Sequence, residues 1–293
     1  MKPSLSLSAF LHNLLIILAI VVITWAVLQL LTVYRPVPPA AAIQDTDTNH
    51  QVFLPIISAN VWQPPPGTSW QWQLTGSIDT SFNVRMYDID LFDTPQGVID
   101  RLHSDGRIVI CYFSAGSWED WRSDASQFPN TVIGQPLDDW PGEKWLDIRR
   151  LDLLGPIMQA RLDLARQKKC DGVEPDNVDG YANITGFPLT AQDQLTYNLW
   201  LANEAHARRL SVGLKNDLDQ VPDLVTHFDW ALNEQCFQYD ECDKLLPFVQ
   251  AGKAVFGVEY ELSPAQFCPQ ANSMNFDWLK KKLNLDAWRQ ACR

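Results

Sequence analysis

Apolar runs and amphipathic stretches alternate along the chain from residue 70 onward. Strand candidates fall at 70–74, 84–90, 108–114, 171–176, 211–216, 228–234, 254–260 and 276–282. Helical periodicity marks 96–103, 153–168, 195–208 and 244–250 between them. Eight apolar runs separated by helices predict an α/β protein with a parallel sheet, and eight is the number of strands that closes a (β/α)8 TIM barrel. The same elements also suit an open doubly wound sheet. No G-x-G-x-x-G follows the first strand candidate to favour that arrangement, and neither a G-x-S-x-G elbow nor a P-loop occurs.

Upstream the pattern changes twice. Residues 14–34 carry no charge, and about 21 residues are enough to cross a hydrocarbon core as a helix. Ala40-Ala41-Ala42 offers a signal-peptide cleavage site. The apolar run, however, exceeds the roughly 7–15 residues of an ordinary signal core, which favours an uncleaved anchor. Residues 35–68 are rich in Pro, Ala, Thr and Asn and read as a semi-rigid linker. The expected layout is therefore a signal-anchor or signal peptide at 1–34, a linker at 35–68 and a barrel at 69–293. On either reading of the N-terminus the barrel is exported, secreted or held at the cell surface.

Six cysteines fit an oxidising compartment. Cys236 with Cys242 and Cys268 with Cys292 are the expected disulfides. Cys111 and Cys170 lie in apolar runs and are expected as buried core thiols, with a third bridge as the alternative. The five His are scattered and no Cys or His pair has ligand spacing, so neither a metal nor another cofactor is expected.

Charge narrows the partner. The chain has 23 Lys plus Arg against 35 Asp plus Glu, a net −12. Nucleic acid needs a basic stripe and is excluded; a neutral or cationic ligand suits the surface better. No feature points to an obligate protein partner.

In a barrel the chemistry gathers at the C-terminal ends of the strands. Here those ends are polar: Tyr87-Asp88, Ser114 running on to Trp118, Glu174-Pro175-Asp176-Asn177-Val178-Asp179, Lys215-Asn216-Asp217, Asn233-Glu234-Gln235 and Glu259-Tyr260-Glu261. One such carboxylate is ordinarily a solvated loop group; the repetition is what matters. Strand alternation puts Gly172, Glu174 and Asp176 on one face, and Trp230, Leu232 and Glu234 on another. Glu234 then tops an apolar column, a setting that suits a proton-carrying acid. An ionised carboxylate beside an acid able to hold a proton is what glycosidic cleavage requires. Trp72, Tyr87, Trp118, Trp121, Trp145, Tyr181 and Tyr260 form a candidate aromatic rim for stacking on sugars.

The strings WQWQLTG, YDIDLFD, CYFSAGSWEDWR, KWLDIR, CDGVEPDNVDGY, GLKND and NEQCFQYDEC resemble, in that order, glycoside hydrolase family 114. The resemblance implies a (β/α)8 barrel acting as an endo-α-1,4-polygalactosaminidase. It places the nucleophile on Asp176 and the acid/base on Glu234, in a retaining double displacement. Glu174, Asn177 and Asp179 would orient Asp176, and Asp88, Lys215 and Asn216 would contact or support the sugar, with Trp72, Tyr87, Trp118, Tyr181, Glu259 and Tyr260 as further substrate contacts. Lys215 has an equal claim as an interior cation neutralising the carboxylates. Other readings are an α-glycosidase for a different polysaccharide and a membrane-tethered carbohydrate-binding barrel without catalysis.

Overall fold

The computed structural model describes residues 61–293. The apolar segment at 14–34 and most of the expected linker lie outside the described residues. Among the described residues no helix is long and apolar enough to cross a membrane.

The fold is an α/β barrel-like sheet of nine strands, curled about a packed interior. In chain order its strands are β1 (Trp70–Gln73), β2 (Met86–Asp90), β3 (Ile108–Ser114), β7 (Gly172–Asp176), β8 (Ser211–Lys215), β9 (Trp230–Glu234), β10 (Val255–Glu259), β11 (Asp277–Lys280) and β12 (Gln290–Ala291). Neighbours pair in parallel except β12, which runs antiparallel to β11. The eight parallel strands coincide with the eight candidates to within two residues at most ends. Across the seam between β11 and β1, the Trp70 indole donates to the Asp277 carbonyl at 2.8 Å.

Helices α1 (Gln96–Ser104), α2 (Leu151–Gln167), α3 (Ala191–Ala207), α4 (Val221–Leu224), α5 (Leu246–Gln250) and α6 (Pro264–Ser273) fill the crossovers. α3 starts four residues before the apolar periodicity does, because Thr190 and Asp193 make a capping box. α6 is absent from the sequence expectation, although Ser263, Pro264 and Gln266 carry its start signal. Also unforeseen is a small antiparallel sheet, β4 (Ser117–Glu119), β6 (Glu143–Leu146) and β5 (Ile133–Pro136), inserted between β3 and α2.

Alternation divides the apolar residues into two cores. Outward residues such as Tyr87, Cys111, Phe113, Val173, Val212 and Ala231 pack beneath the helices. Trp70, Trp72, Met86, Ile110, Trp230, Leu232, Phe256 and Val258 fill the lumen. Trp230 lies across Gly213 on the neighbouring strand, so closely that a Cβ there would stand 2.3 Å from the indole. Below this aromatic layer the end of the expected linker closes the base: Trp62 packs on the lumen cluster, and Ala254 N–H donates to the Pro64 carbonyl at 2.8 Å. The folded unit therefore begins several residues before Ser69.

Three disulfides are present. Cys236–Cys242 and Cys268–Cys292 pair as expected, but Cys111 and Cys170 are bonded rather than free. They lie 59 residues apart in sequence, and only the β3–β7 register brings them together. Three bridges mark a chain that matures in an oxidising compartment. Replacing Cys111 and Cys170 together by Ala should cost about 2–5 kcal/mol by opening that loop. The thermal midpoint should then fall by roughly 10 °C, and an unshifted melt would deny the bridge a stabilising role.

Candidate active site

The lumen changes character from base to mouth. Above the aromatic layer the inward positions become Asp88, Glu174 and Lys215; at the rim they become Asp176 and Glu234. The residue after each of β7, β8 and β9 adopts a left-handed conformation, with φ of 61° at Asn177, 51° at Asn216 and 65° at Gln235. Asn tolerates this region better than most residues, and the sharp bend turns each loop over the mouth.

Lys215 Nζ is the hub. It lies 3.0 Å from Glu174 Oε1, 3.0 Å from Asp176 Oδ1 and 3.1 Å from Glu234 Oε2, and 4.9 Å above the Trp72 ring. Burial alone would lower the proton affinity of Lys215. Asp176, Glu174 and Glu234 outweigh that and hold its ammonium well above the usual range. Two oxygens so close to one nitrogen cannot be more than about 6 Å apart, which brings Asp176 and Glu234 within reach of a single glycosidic bond.

Each rim carboxylate is otherwise held by hydrogen bonds. Asp176 Oδ1 accepts from the Asn177 N–H at 2.7 Å, and Oδ2 accepts from the Tyr112 hydroxyl at 3.1 Å. Asn177 Nδ2 donates in turn to Ser114 Oγ at 2.9 Å. The turn after β3 presses against this loop at Gly116, where a Cβ would stand 1.7 Å from the Asn177 carbonyl oxygen. Glu234 Oε1 accepts from the Tyr260 hydroxyl, and the Glu234 N–H donates to Asn216 Oδ1 at 3.0 Å. Burial, with Glu234 beside it, raises Tyr260 well above the ordinary phenol range and keeps it a donor. Glu234 stands above Trp230 and Leu232 of its own strand, and beside it has polar company in Lys215, Asn216 and Tyr260.

Beneath them, Trp72 Nε1 donates to Glu174 Oε2 at 3.1 Å. Burial pushes Asp88 well up, with Glu174 adding to it, and burial likewise pushes Glu174 up to about 7. At the rim, burial and the nearby Asp176 push Asp179 up to about 6.

A cleft of about 1410 Å³ opens over the mouth. Of the expected site residues it is lined by Trp72, Asp176, Asn177, Asp179, Tyr181, Lys215, Asn216, Glu234 and Tyr260, together with the rim residues Trp121 and Trp145. Five expected contacts lie elsewhere. Tyr87 and Glu259 occupy outward positions of β2 and β10: Tyr87 donates to the Phe82 carbonyl at 2.9 Å, and Glu259 accepts the Phe237 N–H at 3.0 Å. Asp88 and Glu174 are fully buried below the reactive layer. Trp118 is turned into the insert, its indole bonded to the Ala125 carbonyl at 3.0 Å.

Sequence reasoning missed Tyr112 and Trp140 and gave Asp217, noted at a polar strand end, no role; all three line the cleft. The parity of Ile110 and Tyr112 on β3 marks Tyr112 as inward. Trp140 belongs to a hairpin that carries no strand periodicity to announce it.

The profile of glycoside-hydrolase family GH114 matches residues 54–293. Among solved structures the chain is similar to Aspergillus fumigatus Ega3, determined in complex with galactosamine, at 46% identity and a TM-score of 0.76; the match covers 79% of this chain and 97% of that one. It is also similar to the glycoside hydrolase domain of PelA from Pseudomonas aeruginosa, at 12% identity and a TM-score of 0.60, over 78% of this chain and 99% of that one. The second likeness is one of fold alone. No curated protein matches the chain.

Proposed function

Because the chain belongs to glycoside-hydrolase family GH114 and is a glycoside hydrolase, we propose that it cleaves α-1,4-linked galactosamine polymers internally, with Asp176 as nucleophile and Glu234 as acid/base. The observation that carries this reading is the convergence of those two carboxyls on Lys215 at the floor of a long open cleft. Likeness to a protein solved with galactosamine supports the sugar, and the acidic balance of the chain suits its amines. Close charge pairs of that kind contribute about 1 kcal/mol or more each.

In this mechanism Asp176 attacks the anomeric carbon while Glu234 protonates the departing glycosidic oxygen. Glu234 then takes a proton from water as it hydrolyses the glycosyl–enzyme ester. Lys215 spreads its charge over both carboxylates, and Tyr112 and Tyr260 fix their orientation. With their Lys215-facing oxygens no more than about 6 Å apart, the two carboxyls stand close together, which supports retention. The sheet serves as a (β/α)8 barrel with its seam between β11 and β1, and the segment at 14–34 tethers it to the cell surface after export.

Incubation with defined α-1,4-galactosamine oligomers should release new reducing ends, and the first product seen by NMR should be the α-anomer. A first-formed β-anomer would remove Asp176 from the nucleophile role. Replacing Glu234 by Gln should lower kcat on polymer by about 10²–10⁴-fold, with a far smaller loss in the first step for an activated leaving group that needs no proton. An equal loss on both substrates would count against the acid/base assignment.

A further inference from the structure

Glu143, on β6 of the insert, is a buried carboxyl with no part in the mechanism above, only 7% exposed where it meets the cleft. Among the described residues it makes no ion pair: the nearby Arg122 is committed to Asp90 at 2.7 Å and to Glu119 at 2.8 Å. Burial, with Glu119 and Asp176 adding to it, pushes the Glu143 carboxyl up to about 7. A buried carboxyl without a cation costs stability, so the contact it does make carries information.

That contact is with Ser117. The antiparallel register sets Ser117 opposite Trp145, and Glu143, two residues before Trp145, shares its face of the small sheet. Ser117 Oγ lies 2.8 Å from Glu143 Oε2 and 2.6 Å from Ser114 Oγ, at the end of β3. Ser114 Oγ also accepts from the Ser117 N–H at 3.0 Å and from Asn177 Nδ2 at 2.9 Å. Those two donors fill both of its lone pairs, so the Ser114 hydroxyl must donate to Ser117 Oγ. Ser117 Oγ, which also accepts from Asn177 Nδ2 at 3.3 Å, has a single hydrogen left, and Glu143 Oε2 takes it. Every proton direction along the chain is thus set by an acceptor at its far end.

The near end is the nucleophile's own loop. Asn177 holds a left-handed φ of 61°, and its N–H donates to Asp176 Oδ1 at 2.7 Å. Such a backbone persists only where its surroundings fix it. The turn that carries the two serines also grips the Asp176 peptide: the Ala115 and Gly116 N–H groups donate to its carbonyl at 2.8 and 3.0 Å.

We propose that Glu143 is a positioning residue for the nucleophile: by terminating the serine chain it holds the Asn177 amide, and through it the N–H that orients Asp176. The inference rests on Asp176 being the nucleophile, as read above. It gives the insert a part in the reaction that its short strands do not announce.

A double-mutant cycle on polymer hydrolysis tests this. E143L should lower kcat by about ten- to a hundredfold, the scale of a slightly misplaced nucleophile, with KM within about threefold of the parent. E143Q can still offer an oxygen to Ser117 and should recover kcat to within about threefold. N177G removes the amide at the near end while its backbone still admits a positive φ. In the N177G background E143L should lower kcat by less than about a further twofold. S117A interrupts the same chain by a smaller change, and should show the same non-additivity if E143L does not fold. Losses that multiply, a change in KM without one in kcat, or E143Q as impaired as E143L would overturn the role of Glu143 and leave the polymer reading standing. A parent enzyme that releases no reducing ends from the polymer overturns both.

Discussion

Asp176→Asn should reduce kcat on galactosamine polymer by about 10⁴-fold or more, equivalent to at least about 5.5 kcal/mol of lost transition-state stabilisation, while substrate affinity changes only a few-fold. The magnitude follows from the chemistry. An amide cannot attack an anomeric carbon, and no neighbouring group stands ready to replace it, because Glu174 is buried beneath and engaged with Trp72 and Lys215. The geometry should survive. The amide oxygen can accept from Lys215 and the Asn177 N–H, as Oδ1 does now at 3.0 and 2.7 Å, and the amide nitrogen can face the Tyr112 hydroxyl. Reducing-end release gives kcat, and calorimetry on the same preparation gives binding. Turnover within about tenfold of the parent would sink the assignment.

The second large effect concerns stability. Lys215→Met should destabilise the protein at pH 8 by about 3–5 kcal/mol, because removing one partner leaves buried carboxylates facing each other. The deficit should shrink on acidification. Burial pushes Glu174 up to about 7 even with Lys215 present, so between about pH 4.5 and 7 the folded state binds more protons than the unfolded chain and loses stability as pH rises. Without the ammonium, Glu174 rises further and the penalty above pH 7 deepens; near pH 5 Glu174 is largely protonated and the cation is missed less. Urea unfolding at pH 5 and pH 8 reads this directly. A deficit that does not change with pH would mean that Lys215 acts by packing its alkyl stem against Trp72.

What was legible in the sequence, and what was not, divides along physical lines. Parallel strands buried on both faces read as apolar runs, and all eight barrel strands were found on that signal. Parity grouped Glu174 with Asp176 and Glu234 with Trp230 and Leu232, and the structure turns both groups toward the lumen. The misplaced residues came from not carrying the same rule through. Tyr87 and Asp88 are adjacent on β2 and cannot both face inward, and the same holds for Glu259 and Tyr260 at the end of β10. Depth was harder to read than direction: Asp88 and Glu174 point into the lumen but lie one layer below the reactive rim, and periodicity says nothing about how far a side chain stands from solvent. The insert of β4, β5 and β6 escaped because its strands are only three or four residues long. The Cys111–Cys170 bridge escaped because pairing at a distance of 59 residues depends on which strands become neighbours.

The contact between Gly213 and Trp230 carries a consequence for ancestry. The indole has its place because the facing position lacks a side chain, and the indole fills the gap that a mid-strand glycine leaves. In related chains the two should vary as a pair, so a methyl-bearing residue at the first position should accompany a smaller ring or an aliphatic group at the second. Lineages keeping tryptophan opposite alanine would show that the floor of the cylinder can be rebuilt while the chemistry above it is preserved.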